Sequence, residues 1–373
     1  MDIQVCRPGE LADADRAAWR AMQSEAALEA APQLANPFLA PEFTVALAGC
    51  RRDVRVAVAR AGPDDRRPLA FLPFQRGPLG VGRAAGLGLS DCQGAVHRPG
   101  FAWDADVLLR GCGLAVLEFD HAAAGQPAFT SHASGSFASP VMDVGQGYDA
   151  YLAGLRERSP KFTRTTLAKE RKLGRDVGEV RYVHDERDPE MLRTLMAWKS
   201  AQYRRTGRSD RFAKPWIVDL LTRLFHTRTE SFAGLLSVLY AGGQPVAAHF
   251  GLRSDRVLAC WFPVYDPQFA KLSPGLALHL RMAEGAAAQG LTQLDLGRGD
   301  KEYKDALKTG ELTVHEGWLT RRHPAAVAHR ARRAPARALR NAVVTRPRLF
   351  TPADRLLKRI GTLRTEVARK REK

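Results

Sequence analysis

Nowhere does the 373-residue chain hold the roughly 20 consecutive apolar residues that a membrane-spanning helix needs. The nearest approach, "ADVLLRGCGLAVLEFD", is broken by Arg110 and by two glycines. The opening "MDIQVCRPGELADADRAAWR" carries acids early and lacks an apolar signal core. No secretory leader is therefore expected, and the expected location is cytoplasmic. Cysteine is scarce and scattered: Cys6, Cys50, Cys92, Cys112 and Cys260 form no CxxC and have no paired histidines nearby. That pattern excludes an obvious zinc site and a disulfide framework, so buried thiols and no bound metal are expected. The Gly-x-Ser-x-Gly elbow, the P-loop and HExxH are all missing. The glycines of "GPLGVGRAAGLGLS" lie outside a strand-to-helix GxGxxG context, which argues against a dinucleotide fingerprint.

What is present is an ordinary globular composition, 45% hydrophobic and 26% charged, with a net charge of +17. That charge is uneven. From Arg321 onward 17 Lys/Arg face only Asp354, Glu366 and Glu372, so this tail carries +14 and the preceding 320 residues only +3. The basicity is a property of the tail and does not call for specific DNA binding by the body. A solvated appendage, an anionic membrane surface or RNA would each suit it. Within it, Leu356, Leu357, Ile360 and Leu363 fall at helical spacing.

Hydropathy patterning divides the body into about 1–145, mixed α/β, and about 146–320, with 321–373 as the tail. In the first block "DVRVAVAR" and "PLAFLPFQRG" predict a hairpin, and "HAAAGQPAFTSHASGSFASP" an irregular loop. In the second, a basic helix enters through Ser159-Pro160 and ends near Gly174. Three strands, "FAGLLSVLYAG", "QPVAAHFGLRS" and "RVLACWFPVY", form an antiparallel meander. A helix "PGLALHLRMAEGAAAQG", a strand "TQLDLG", a short helix "KEYKDALKTG" and a strand "LTVHEGWLT" complete it. Counted from "GEVRYVH", the order is β-α-α-β-β-β-α-β-α-β.

That order resembles the plan of the GNAT superfamily of N-acetyltransferases. Within it, "AAHFGL", "WFPVYDP", "LSPGLALHL" and "LDLGRGDKEYK" resemble the CelD/BcsL type linked to cellulose and polysaccharide biosynthesis. The leading "NPFLAPEFT" and "SDCQGAVHRPG" are similar to that family's first region. The resemblance implies tandem acetyltransferase-like α/β domains, a mixed sheet flanked by helices, the first half degenerate. It also implies acetyl-CoA or another acyl-CoA as donor, bound where the fourth strand splays from the fifth. A similar double plan occurs in Fem peptidyltransferases, which use aminoacyl-tRNA.

The donor's diphosphate would lie on the backbone N–H groups opening the helix at Leu272-Ser273-Pro274-Gly275-Leu276-Ala277, where the dipole favours negative charge. Val264, at the end of the fourth strand, joins this binding set. The resemblance gives Tyr303 the role of the acid that protonates the departing thiolate; a packed tyrosine at a helix–sheet seam is the other reading. His249 and Asp266 are candidate bases for the acceptor, or else a buried hydrogen-bonded histidine and a loop cap. Lys304 meets a CoA phosphate or faces solvent. The helix carrying Lys161, Arg164, Lys169, Arg171 and Lys172 presents a solvated face or an anionic acceptor site.

The expected function is acyl transfer from acyl-CoA to an amine or hydroxyl, on a small-molecule, sugar or lipid-linked acceptor. A Fem-like transferase using aminoacyl-tRNA and a non-catalytic accessory of a polysaccharide-synthesis machine are the alternatives. Leu272 and Pro274, which depart from the usual signature of the loop, favour the accessory role.

Overall fold

A computed structural model describes residues 1–28, 32–299, 301–329 and 331. The first half contains β1 (Asp2–Cys6), α1 (Asp13–Leu28), α2 (Pro41–Cys50), β2 (Val54–Arg60), β3 (Ala70–Arg76), β4 (Val81–Ala84), β5 (Val96–His97), α3 (Ala105–Gly111), β6 (Val116–Ala123), α4 (Pro127–Thr130) and β7 (Ala133–Asp143). Two helices follow, α5 (Tyr148–Arg158) and α6 (Pro160–Val177). The second half contains β8 (Val180–Val183), α7 (Pro189–Arg205), α8 (Pro215–His226), β9 (Ala233–Ala241), β10 (Gln244–Arg253), β11 (Val257–Tyr265), α9 (Pro274–Ala288), β12 (Gln293–Asp295), α10 (Glu302–Leu307) and β13 (Gly310–Thr320). Leaving aside the two-residue β5, the order β-α-α-β-β-β-α-β-α-β occurs in both halves.

The halves share one mixed sheet in the order β1-β2-β3-β4-β6-β13-β7-β12-β11-β10-β9-β8, with β5 on β3. Each half has one parallel pair, β4 with β6 and β11 with β12. The final strands are exchanged. β7 of the first half pairs with β12, β13 of the second half pairs with β6, and β7 and β13 pair with each other. The segment expected as irregular loop at 121–140 is in fact the end of β6, α4 and most of β7. Its Ala, Ser and Gly residues have little strand preference of their own. Hydrogen bonding to β13 along one edge, and to β12 at its end on the other, supplies what local preference does not. The basic helix α6 runs to Val177, beyond the expected end near Gly174, and stops at Gly178.

Helices α1, α2, α7 and α8 cover one face with a shared apolar core that includes Trp19, Phe43, Leu195, Leu224 and Trp261. Helices α5, α6 and α9 cover the other face around Leu155, Leu173, Leu278 and Leu294. Phe38 meets Trp261 edge-on with ring centroids 5.0 Å apart, and the Trp261 indole N–H donates to the Leu89 carbonyl at 2.9 Å. Both contacts bring first-half residues onto β11. Among the described residues no helix is long and apolar enough to cross a membrane. The expected amphipathic helix around Leu356–Leu363 lies outside the described residues.

Candidate active site

β11 and β12 pair for only three residues, Val257–Ala259 against Gln293–Asp295. β12 stops because Asp295 Oδ1 accepts the Gly297 N–H at 2.9 Å, while Gly297 and Gly299 adopt φ of +73° and +133°. Such angles suit glycine and turn the chain off the ladder. Asp295 thus caps the strand end, and it also accepts from Ser139 Oγ at 2.7 Å and Asn36 Nδ2 at 2.9 Å. β11 continues to Tyr265, held from its other side by β10 as far as Ala247. Among the described residues, its β12-facing edge therefore has no strand partner from Cys260 onward. Unsatisfied strand edges bind extended ligands.

Helix α9 begins just beyond that edge. Ser273 sits in left-handed conformation at φ +51°, so the chain reverses before Pro274. Pro274 has no N–H, and those of Leu276 and Ala277 turn back to the Ser273 carbonyl at 3.0 and 3.5 Å. Among the described residues the Gly275 N–H has no backbone partner. Lys169 of α6 places its ammonium at this helix start, donating to Ser273 Oγ at 2.9 Å. Positive charge from a lysine, a helix dipole and a free amide therefore converge there, a donor set suited to a phosphate. Leu272 packs at the edge of the α9 core, Val264 and Ala277 are buried, and the Tyr265 ring borders Gly275, whose added Cβ would meet Cδ1 at 3.3 Å.

Tyr303 lies at the inner end of the fork. It packs in the α9 core beside Cys260, the first unpaired residue of β11, and its ring meets His279 at 5.3 Å between centroids. Burial pushes its phenol up to about 12, so it is a proton donor throughout the neutral range. His279 donates its Nδ1–H to the Gly275 carbonyl at 2.6 Å, which ties the helix start to the tyrosine.

His249, on β10, is fully buried, and Nε2 accepts the Trp261 N–H at 3.1 Å. Trp261 is the extra residue of a bulge in β11, because register shifts between Phe250 and Gly251. The histidine thus satisfies an amide the ladder leaves free. Burial, then the nearby His279, Lys199 and His184, hold its pKa well below the usual range. The lone pair a base would use is engaged, and its place in the fold is that of a hydrogen-bond acceptor. Asp266 caps the following turn: Oδ1 accepts from Gln268 N at 3.0 Å and Oδ2 from Gln268 Nε2 at 2.9 Å. Lys304 is 7% exposed, and its ammonium donates to the Gly297 carbonyl at 2.8 Å and the Arg298 carbonyl at 3.4 Å. It faces neither solvent nor the start of α9, and it braces the turn that opens the fork.

One carboxyl that sequence reasoning passed over lies here. Asp91 comes from the first half, on a loop held by Gln93, which bonds Asp120 and His121, and by Leu89, which takes the Trp261 indole. Its Oδ2 is so close to Gly297 that a Cβ there would approach to 2.9 Å. Burial pushes it up to about 6, against the counter-pull of His121, Arg211 and Lys304. No side-chain hydrogen bond engages it among the described residues. Opposite, Lys199 of α7 donates to the Pro263 carbonyl of β11 at 2.6 Å. Burial, and then Arg208, Arg211, Lys301 and Lys304, pull Lys199 down to about 8. Sequence offered one signal for Asp91, its place in the singled-out string "SDCQGAVHRPG". Among the described residues no group of three or more His, Cys, Asp or Glu is placed to hold a metal.

Residues 161–305 match the family model described as an acetyltransferase (GNAT) domain. No curated protein matches the chain in sequence. Among solved structures, FemX superposes with a TM-score of 0.54 at 9% identity, covering 85% of this chain and 96% of that one. A conserved protein of unknown function from Bacteroides thetaiotaomicron VPI-5482 gives 0.50 at 11%, covering 76% and 92%. A tandem GNAT protein from the clavulanic acid biosynthesis pathway gives 0.46 at 11%, covering 86% and 98%. The fold is thus a GNAT-like mixed α/β architecture in which the element order of one half recurs in the other.

Proposed function

We propose that the protein transfers an acyl group from an acyl-CoA thioester to an amine or hydroxyl acceptor at the fork between β11 and β12. The observation that carries this is the edge of β11, unpaired from Cys260 to Tyr265, which ends at a helix start furnished with Lys169 and the free Gly275 amide. The diphosphate would sit on that helix start and the thioester arm would lie along the open edge, whose backbone donors are fixed before the substrate arrives. Attack by the acceptor forms the new C–N or C–O bond and breaks the C–S bond. The acceptor's proton passes to the Asp91 carboxylate, and the leaving thiolate takes the Tyr303 phenol proton. Asp91 takes the base's role in place of His249 and Asp266 because, among the described residues, its carboxyl accepts no hydrogen bond, whereas His249 Nε2 and both Asp266 oxygens do. The likeness of "LDLGRGDKEYK" to the CelD/BcsL type supports an acceptor from polysaccharide or cell-envelope biosynthesis.

Isothermal titration with acetyl-CoA tests the donor half of the proposal. Micromolar binding is expected, abolished by Gly275→Trp, which fills the helix start, and weakened about tenfold by Lys169→Ala, of the order expected for a charge-assisted contact. Wild-type protein that gives no heat, or binding indifferent to both substitutions, rules the proposal out.

A further inference from the structure

We propose that Lys199 is the oxyanion donor of the fork: its ammonium stands in for a backbone amide that Pro263 cannot supply, and holds the thioester oxygen as the acceptor attacks. The assignment rests on the acyl-transfer reading and names a further residue of that site. Its basis is the direction in which each residue of β11 points. The Asp266 N–H donates to the Val246 carbonyl at 3.0 Å, and the register then runs unbroken from Ala247 opposite Tyr265 to Phe250 opposite Phe262. Backbone groups alternate between the two sides of an antiparallel strand. Val264 and Phe262 therefore turn toward β10, as Asp266 does, while Tyr265 and Pro263 turn toward the open edge. Pro263 suits that position, because its missing N–H costs the ladder nothing there. Its carbonyl faces the fork, where Lys199 Nζ donates to it at 2.6 Å. The Trp261 N–H is already given to His249 Nε2 at 3.1 Å. Among the described residues, the edge between Trp261 and Tyr265 thus presents no backbone amide to a ligand, and the Tyr265 N–H beyond it remains for the donor's arm.

Lys199 fills that gap. It reaches the edge from α7, which packs across β10 and β11, and its side chain is partly buried. An ammonium has three N–H donors, and among the described residues Lys199 spends one. Two are left beside the edge on which the thioester carbonyl would lie. Lys304, by contrast, commits its donors to the Gly297 and Arg298 carbonyls. Burial pulls Lys199 down only to about 8, so the ammonium form prevails at neutral pH. Attack by the acceptor forms the C–N or C–O bond and moves the carbonyl electron pair onto oxygen. The Lys199 N–H groups hydrogen-bond that alkoxide and keep their protons. Its collapse restores the carbonyl, breaks the C–S bond and sends the thiolate to the Tyr303 proton. A donor fixed in place before the reaction acts most strongly on the charge that develops there.

The test compares wild-type and Lys199→Met protein with acetyl-CoA that carries an isotope label in its acetyl carbonyl. Difference infrared spectroscopy reads the carbonyl stretch of the bound thioester, which a strong donor lowers. Transfer to hydroxylamine, a nucleophile small enough to need no acceptor site, reads the rate. Lys199→Met is expected to leave acetyl-CoA binding nearly unchanged and to move the band to higher frequency. It is also expected to lower kcat about 10²–10³-fold, the loss typical of removing an oxyanion donor. Should that variant melt early because the Pro263 carbonyl loses its partner, Lys199→Gln serves in its place, since it keeps a donor for that carbonyl but no charge. A merely structural lysine predicts a normal band and rate for Lys199→Gln, whereas the proposal predicts the same band shift and a loss of roughly tenfold or more. A band that ignores Lys199, or a rate that survives its loss, overturns the proposal. So does wild-type protein found with acetyl on Lys199, which would make the lysine an acceptor. Wild-type protein that binds no acetyl-CoA defeats the acyl-transfer reading and this assignment together, while binding with an indifferent band defeats the assignment alone.

Discussion

Asp91 is a carboxyl that folding makes costly to ionise, and this gives it two measurable properties of opposite sign. An unfolded aspartate titrates near about 3.9, whereas burial in the folded chain raises Asp91 to about 6. Above that pH the folded protein holds a charge it solvates less well than water does. Asp91→Asn should therefore stabilise the protein at pH 7, by on the order of 3 kcal/mol at about 1.4 kcal/mol per pKa unit. The gain should vanish below about pH 4, where the carboxyl is neutral whether folded or not. The same substitution should cost roughly 10²–10⁴-fold in kcat/KM and remove the acid limb near pH 6, because the base works only when ionised. Melting curves and a pH–rate profile check both. A variant that is less stable at pH 7, or that keeps the limb, removes Asp91 from the mechanism. At this scale the sequence was half legible. Tyr303 could be placed because its string is local, whereas Asp91 meets Gly297 across some two hundred residues that no pattern joins. His249 and Asp266 were chosen for their chemical type, and type does not reveal whether a lone pair is already engaged.

Secondary-structure elements set the fork by small departures from regularity. The meander β9-β10-β11, helix α9 and the short α10 are legible because their turns, Pro caps and apolar spacing are local signals. The bulge at Trp261 is not, since it depends on which residue of β10 lies opposite. That residue's neighbour, Gly251, makes the bulge possible: a Cβ there would lie 2.4 Å from the Ala259 carbonyl and 2.5 Å from His249 Cε1. The carbonyl is backbone and cannot swing away. Gly251→Ala is expected to destabilise the protein by about 2–4 kcal/mol, read as a lowered denaturant midpoint, and to weaken acetyl-CoA binding with it. An unchanged midpoint would mean that β11 does not need this bulge. Lys304 belongs to the same scale, because its ammonium braces the Gly297–Arg298 turn from which the fork opens.

The whole molecule joins two similar halves by exchanging their last strands, so neither half closes its sheet alone. Strand exchange leaves no mark in composition or periodicity, because β13 has the same pattern whichever neighbours it finds. The repeated plan came only through the family resemblance, and the segment holding β7 looked like loop. The exchange has a functional consequence: it fixes the first half against the second, so that the Asp91 loop can overhang the fork. The central claim is that the open edge of β11 receives the donor, and amide hydrogen exchange with and without acetyl-CoA tests it most directly. The account predicts slowed exchange at Cys260–Tyr265 and at the Gly275 amide, with the β2–β3 hairpin unchanged. Protection that spares the open edge of β11, or that falls elsewhere in the chain, would contradict it.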